Sequence, residues 1–367
     1  MGMTYEEQLK IKQKTVETLM KPFVRVEPII GAVNPYNYRN KVHAVFGKDK
    51  KGNILAGTYE ADSHRIVDVE ECQLDNPKAD AIIRTIKRLL KSFRYEPYNE
   101  DTGKGFFRHV LIRTAHTTGQ ILVVLVVADV VFPSRNNFLK ALRKEHPDIT
   151  TIVQNINNRR TSMVLGDREQ VLYGKGFIED ELCGKRFKLS PKSFYQVNSE
   201  QTEILYNKAY EFAGLTGRET ILDAYSGIGT IGICAADHAK EVVGVEINED
   251  AVKDANVNLR FNKIQNARYI KDDAGKFMEK EAAAKHHYDV VFMDPPRAGS
   301  DERFMNSVVK LKPDRVVYIS CNPVTLARDV KFFTKKGYEV VRCVPVDMFA
   351  WSEHVETCAL LTKTSEA

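Results

Sequence analysis

The sequence predicts an α/β protein in two parts: an α+β domain over residues 1–182, and a doubly wound parallel sheet with a closing antiparallel hairpin over 183–367. Three observations carry that reading. From about Asn198 onward, short apolar runs alternate with helical or loop segments, the rhythm of parallel strands joined by right-handed crossovers. The stretch "LDAYSGIGTIG" sets glycines between a strand-type run and a helix, the context of a nucleotide-binding loop. The last two runs, "YEVVRCVPVD" and "VETCALLTK", have a connection short enough for an antiparallel pair.

The elements follow in order. Thr4 and Glu7 form a capping-box pattern that opens a helix expected to stop near Pro22. "RNKVHAVFG" and "QILVVLVVAD" read as strands, with the charged helix "PKADAIIRTIKRLLKSF" between them. "KGFFRHVLIRTA" alternates apolar and basic residues, as a half-exposed strand would. "VLYGKGFIEDELCGKRFKLSP" reads as a hairpin leading out of the first half. "NSEQTEILYNKAYEFAGL" is a capped helix with Ile204, Leu205, Ala209 and Phe212 on one face and Gly214 as its stop. The strand candidates "TILDAY", "EVVGVE", "ARYIKDD", "YDVVFMDPP" and "RVVYISCNP" come next.

Composition narrows the function classes. With 367 residues, 43% hydrophobic and 28% charged, the chain can build two ordinary domains with proper cores. No apolar run approaches the roughly 18 residues of a membrane span, and "MGMTYEEQLKIKQ" has no signal core. The expectation is therefore a cytoplasmic protein without membrane contact. Six cysteines, at 72, 183, 234, 321, 343 and 358, include no CxxC pair, which argues against a zinc site or a disulfide framework. A net charge of +5, from 54 basic and 49 acidic residues, permits an anionic partner without requiring one.

The ligand loop carries the first functional signal. Gly227 and Gly229 allow a tight turn and close approach of the backbone to a ligand, and no P-loop lysine follows. Glu246 ends the next strand, where a carboxylate can accept hydrogen bonds from both ribose hydroxyls of an adenosine. "KDDAGKF" ends the third strand and offers Asp273, with Asp272 as its competitor, to an adenine edge. A closing antiparallel hairpin, in place of a second βαβαβ half, favours S-adenosylmethionine over NAD. The reading is a Rossmann-like class I methyltransferase domain.

Ligands of such sheets sit outside the carboxyl ends of the parallel strands. Tyr225, Glu246, Asp273, Asp294 and Cys321 all fall at such ends, and the start of the antiparallel last strand, "HVE", brings Glu356 to the same edge. A thiol beside a carboxylate suits methylation at carbon 5 of a pyrimidine, which is a poor nucleophile until a thiolate adds at carbon 6. A base must then take the proton from carbon 5. An amino-methylating enzyme would more often carry an aromatic residue after "DPP" or "NPP"; here Arg297 follows. Cys234, Cys343 and Cys358 lie inside helix or strand runs and are expected to pack as small apolar residues.

"FYQVNSEQ", "LDAYSGIGTIG", "DPPRAG", "SCNPVTLARD" and "HVETCALL", in this order, resemble the RNA uracil-5-methyltransferase family. The resemblance covers nearly all of the C-terminal half and, more loosely, the domain before it. It implies Cys321 as nucleophile, Glu356 as proton acceptor, and contacts of Gln196, Tyr225, Glu246 and Asp294 with S-adenosylmethionine. It further implies an RNA-binding role for the first domain, base flipping of the target uridine, and 23S ribosomal RNA as substrate, with a sister branch acting on transfer RNA. Arg108, Arg113, Arg159 and Arg160 are the group expected to meet phosphates, while Arg297 and Arg328 can pair with carboxylates or phosphates. Many members carry a β-barrel and a cysteine cluster for a [4Fe–4S] centre before the first helix. Neither stands in this sequence, and Cys72 alone cannot hold a cluster, so none is expected. No protein partner is implied, and a monomer is expected. The alternatives are a cytosine-5 RNA methyltransferase and an RNA assembly factor that binds S-adenosylmethionine without turnover.

Overall fold

A computed structural model describes residues 2–161 and 163–364. The first helix, α1 (Tyr5–Met20), opens with a capping box: the Thr4 hydroxyl accepts from the Glu7 N–H, and the Glu7 carboxylate accepts from the Thr4 N–H. Chain contacts form two compact units, one of Met1–Pro35, Leu182–Phe187 and Ser193–Ala367, the other of Tyr36–Glu181 and Lys188–Lys192. Helix α1, which chain order assigns to the first domain, thus packs in the unit that holds the C-terminal sheet. Val16 and Met20 are fully buried in that unit's core, so one face of α1 is committed there.

The unit of residues 36–181 is a mixed seven-stranded sheet. Its elements are β1 (Lys41–Lys48), β2 (Ile54–Tyr59), β3 (Ile66–Asp68), α2 (Pro77–Ser92), β4 (Phe107–Thr114), β5 (Ile121–Val127), α3 (Arg135–Glu145), β6 (Ile149–Ile156) and β7 (Arg168–Tyr173). The strand order is β3-β2-β1-β4-β5-β6-β7, antiparallel except at β5–β6, which α3 connects. Ile82, Ile86 and Leu90 of α2 and Phe138 and Leu142 of α3 share one core with Val42, Phe46, Val110 and Val123 of the sheet. Strand β4 departs from the sequence expectation. It lies between β1 and β5 and is buried along its whole length, so its alternating basic residues point inward rather than to water. The expected hairpin is also shorter than its sequence suggests. Only β8 (Ile178–Leu182) and β9 (Lys185–Leu189) pair, whereas "VLY" closes β7 at the edge of the main sheet.

The other unit carries α4 (Ser199–Ala213), β10 (Thr220–Ala224), α5 (Thr230–Ala235), β11 (Glu241–Glu246), α6 (Glu249–Phe261), β12 (Ala267–Lys271) and α7 (Ala274–Ala284). It continues with β13 (Val290–Met293), α8 (Glu302–Leu311), β14 (Arg315–Ser320), α9 (Pro323–Thr334), β15 (Tyr338–Val346) and β16 (Glu356–Lys363). Its sheet has the order β12-β11-β10-β13-β14-β16-β15. Strands β10 to β14 pair in parallel, and β16 inserts antiparallel between β14 and β15. This is the sheet with a closing hairpin that the sequence predicts, and every strand candidate of that half is a strand. Among the described residues, no helix is long and apolar enough to cross a membrane.

Candidate active site

The strands of the second sheet deliver their polar ends to one cavity of about 610 Å³. Tyr225 follows β10, Glu246 ends β11, Asp273 follows β12, Asp294 follows β13 and Cys321 follows β14; all line the cavity, as does Gln196. Glu356 joins them because β16 runs the other way and begins where its neighbours end. Ser320 of β14 is paired with Thr357 of β16, so one step further along the ladder Cys321 lies across from Glu356.

The glycine turn is held by two carboxylates. Glu246 accepts from the Gly227 N–H at 3.0 Å through one oxygen and from the Asn248 N–H at 2.8 Å through the other. Each oxygen keeps a further lone pair for a ligand hydroxyl. Asp223, fully buried in β10, accepts from the Gly232 N–H at 2.9 Å and so anchors the first turns of α5 to the sheet. Gly229 adopts φ +84°, and a Cβ there would meet the Tyr269 ring at 2.6 Å, so glycine is required on both counts.

Tyr225 also has positive φ, at 62°, unusual for a residue with a bulky side chain. Its hydroxyl hydrogen-bonds the Ser300 hydroxyl at 2.9 Å, and its ring packs on Phe304. Asp329, fully buried, accepts from the Ser300 N–H at 2.8 Å and the Tyr318 hydroxyl at 2.7 Å. The turn after β13 is thereby fixed to α9. The Arg297 carbonyl reinforces this by accepting from Asn322 Nδ2 at 3.1 Å and Thr325 Oγ1 at 3.3 Å. Asn322, whose side chain caps α9, directly follows Cys321, so the thiol sits on a braced turn.

Asp273 and Asp272 separate by geometry. Asp273 lines the cavity, although one oxygen also caps α7 by accepting from the Lys276 N–H at 2.9 Å. Asp272 turns to Lys280 at 2.6 Å, an ion pair that holds its carboxyl below the usual range. Arg297 approaches His354 Nδ1 at 3.4 Å, and Arg328 pairs with Asp329 and donates to the Ser300 carbonyl at 3.2 Å.

Electrostatics give the cavity its character. Burial pushes the Asp294 carboxyl up to about 7. Burial, reinforced by Asp294, pushes Glu356 well above the ordinary carboxylate range. Glu356 is only 3% exposed, and its Oε2 is buried without a hydrogen-bond partner. The Cys321 thiol is pushed up to about 11, first by burial and then by the Glu356 and Asp294 carboxylates, against a weaker pull from Arg297.

The expected phosphate group of arginines divides. Arg108 and Arg113 are 1% and 2% exposed and cannot reach a backbone in solvent. Arg108 Nη2 donates to both Glu100 carboxylate oxygens, at 2.6 and 2.8 Å, and its Nη1 donates to the Asn157 and Arg159 carbonyls, each at 2.8 Å. It builds the turn that presents Arg159 and Arg160, which are exposed. The alternation in β4 suggested solvent because an inward salt bridge leaves the same pattern in sequence.

Phe194, Tyr206, Ile247 and Phe349 also line the cavity and were not singled out from sequence. Phe194 and Ile247 are exposed apolar side chains, a state that sequence alone does not mark. Among the described residues, no group of three His, Cys, Asp or Glu side chains is arranged to hold a metal. Cys234, Cys343 and Cys358 are buried, as expected of packing residues.

A family model described as tRNA (uracil-5-)-methyltransferase matches residues 4–364. A Halalkalibacterium halodurans protein described as an uncharacterized RNA methyltransferase is 42% identical over 364 residues, 98% of this chain and 79% of its own. A Listeria monocytogenes protein of the same description is 42% identical over 363 residues, 98% of this chain and 80% of its own. The crystal structure of Pyrococcus abyssi tRNA (uracil-54, C5)-methyltransferase in complex with S-adenosyl-L-homocysteine matches with a TM-score of 0.84 at 29% identity. That match covers 98% of this chain and 84% of the other.

Proposed function

The chain belongs to the tRNA (uracil-5-)-methyltransferase family and has the class I methyltransferase fold, and from that premise we propose that it methylates carbon 5 of a uridine in RNA. The observation that carries this reading is the cross-strand placement of Cys321 and Glu356 at one cavity.

The residues around the cavity fit S-adenosylmethionine. Glu246 offers free acceptor capacity to ribose hydroxyls, and Asp273, Asp294 and Glu356 line the same cavity, where a sulfonium and an ammonium would favour the ionised forms of the buried Asp294 and Glu356. Gln196 and Tyr225 complete the set. When bound there, S-adenosylmethionine supplies the electrophilic methyl group. The Cys321 thiol gives up its proton to solvent and adds as the thiolate through Sγ to carbon 6 of the flipped uracil, and the electron pair of the C5–C6 double bond becomes available at carbon 5. Once carbon 5 is methylated, Glu356 accepts its proton, the C5–C6 double bond re-forms and the Cys321–carbon bond breaks with its electron pair returning to sulfur. Glu356 takes the proton in its ionised form, and its unpartnered Oε2 at the cavity supports this role.

The substrate proposed is 23S ribosomal RNA, on the ordered motifs of the C-terminal half. Transfer RNA is the second reading, favoured by the likeness to the Pyrococcus abyssi enzyme. Incubating the protein with each RNA and radiolabelled S-adenosylmethionine, then mapping modified nucleosides, tests both. 5-Methyluridine in ribosomal RNA supports the first and 5-methyluridine in transfer RNA the second. 5-Methylcytosine, or no methyl transfer, would overturn the reading.

A further inference from the structure

Helix α1 reaches a segment far away in sequence and close to the chemistry. Between β15 and Glu356 the chain runs through "DMFAWSEHV", and Phe349 of this loop lines the cavity beside Glu356. Asp347 opens the loop and is fully buried. Its carboxylate accepts from Lys12 Nζ at 2.6 Å and from the Tyr5 hydroxyl at 2.6 Å, both on α1. Lys12, 2% exposed, donates also to the Phe349 carbonyl at 3.0 Å. Gln8, on the same helix, accepts from the Trp351 N–H at 2.7 Å, and the Tyr5 ring lies 5.6 Å from the Trp351 ring. Three side chains at successive turns of one helix thus hold Asp347, Phe349 and Trp351.

The opposite side is tied down as well. Gln201 Nε2 donates to the Asp347 carbonyl and Asn198 Nδ2 to the Met348 carbonyl, each at 3.2 Å. Trp351 sits at φ 61°, a conformation that such a side chain keeps only where its surroundings enforce it. A buried ion pair is a costly way to gain stability, since desolvation offsets much of the attraction, but it is directional and admits one geometry. Here that geometry decides where Phe349 and the start of β16 stand.

We propose that α1 is a brace of the methylation site, with Lys12 as a positioning residue that holds the 347–353 loop so that Phe349 and Glu356 face the reacting base. The proposal rests on the reading of the cavity as the site of uridine methylation. The carboxylates and glycines proposed for S-adenosylmethionine lie at the ends of β10, β11, β12 and β13, whereas Lys12 hydrogen-bonds to Asp347 and to the Phe349 carbonyl. Loosening the brace is therefore expected to slow turnover and spare cofactor binding.

Two variants test this. Lys12→Met combined with Asp347→Asn removes both charges together and leaves no buried ion unpaired. Gln8→Ala removes only the bond to the Trp351 N–H. For each, S-adenosylhomocysteine affinity, kcat on RNA and hydrogen exchange of residues 348–354 are measured beside the wild type. The double variant is expected to bind S-adenosylhomocysteine within threefold of wild type, to lose at least tenfold in kcat and to exchange faster in the loop. Gln8→Ala is expected to lose severalfold in kcat with the same preserved affinity, and it decides the matter if the double variant does not fold. Unchanged kcat in a folded variant, or a fall in cofactor affinity that parallels kcat, would overturn the brace. Wild-type protein that forms no 5-methyluridine would instead remove the functional reading. Loop exchange then decides the brace alone: faster exchange in the variants supports it, and unchanged exchange overturns it.

Discussion

Cys321 stands across the β14–β16 ladder from Glu356, one step beyond the Ser320–Thr357 pair, and both side chains face the same cavity. Burial and then this carboxylate raise the thiol to about 11, so Cys321 is protonated at neutral pH in the free protein.

Alkylation of the free protein reads this directly. Below its raised pKa the thiolate fraction of Cys321 grows about tenfold per pH unit. Iodoacetamide labelling of the Cys321 peptide is therefore expected to accelerate about tenfold from pH 7 to 8 and again from 8 to 9. A rate that begins to level off between pH 8 and 9, as for a thiol of ordinary pKa about 8.5, would show a thiol without the raised pKa.

Glu246→Ala removes the acceptor at the end of β11 and frees the Gly227 and Asn248 N–H groups it holds. A charge-assisted hydrogen bond contributes about 1.5–3 kcal/mol, so affinity for S-adenosylmethionine is expected to fall by roughly 10- to 150-fold. Calorimetry on the folded variant measures it. Unchanged affinity would take Glu246 out of the site.

Asp223 ties stability to pH. Burial, with Asp294 and Glu246 nearby, raises its carboxyl to about 7 in the folded protein, above its ordinary value. The native state then binds more protons than the unfolded chain between the two values, so this group makes stability fall as pH rises from about 4 to about 7. Asp223→Asn keeps an acceptor for the Gly232 N–H and removes the charge. Its Tm relative to wild type is expected to be higher at pH 8 than at pH 5. The reverse order in thermal melts would contradict the assignment.

The C-terminal half was readable because its strands are apolar runs ending in polar turns, so the ends announced themselves. Recognising the final strand as antiparallel was enough to bring Glu356 to the edge where Cys321 lies. The place of α1 was not readable. A capping box specifies a helix but not its partner, and Lys12 meets Asp347 across a separation of 335 residues. Nor did sequence distinguish β4 from a half-exposed strand, since Arg108 alternates with apolar neighbours whether it faces water or Glu100. The anchoring role of Asp223 was hidden for the same reason, its partner Gly232 being visible only once the turn is folded.

Glu356→Gln separates the two halves of the reaction. The thiol can still add and the methyl group can still arrive, but the proton on carbon 5 has no acceptor. The variant is expected to stay attached to methylated RNA as a slow band on a denaturing gel, dependent on both S-adenosylmethionine and Cys321. Free, methylated product released at the wild-type rate would show that another group takes the proton.

RNA carrying 5-fluorouridine at the target position tests the central claim most directly, because fluorine cannot leave carbon 5 as a proton does. Wild-type protein with S-adenosylmethionine is expected to form a denaturation-resistant adduct that peptide mass spectrometry locates at Cys321, and Cys321→Ala, with cofactor binding retained, is expected to form none. If normal RNA is methylated while the fluorinated RNA yields no adduct, thiol addition is wrong and Cys321 is a packing residue at the end of β14.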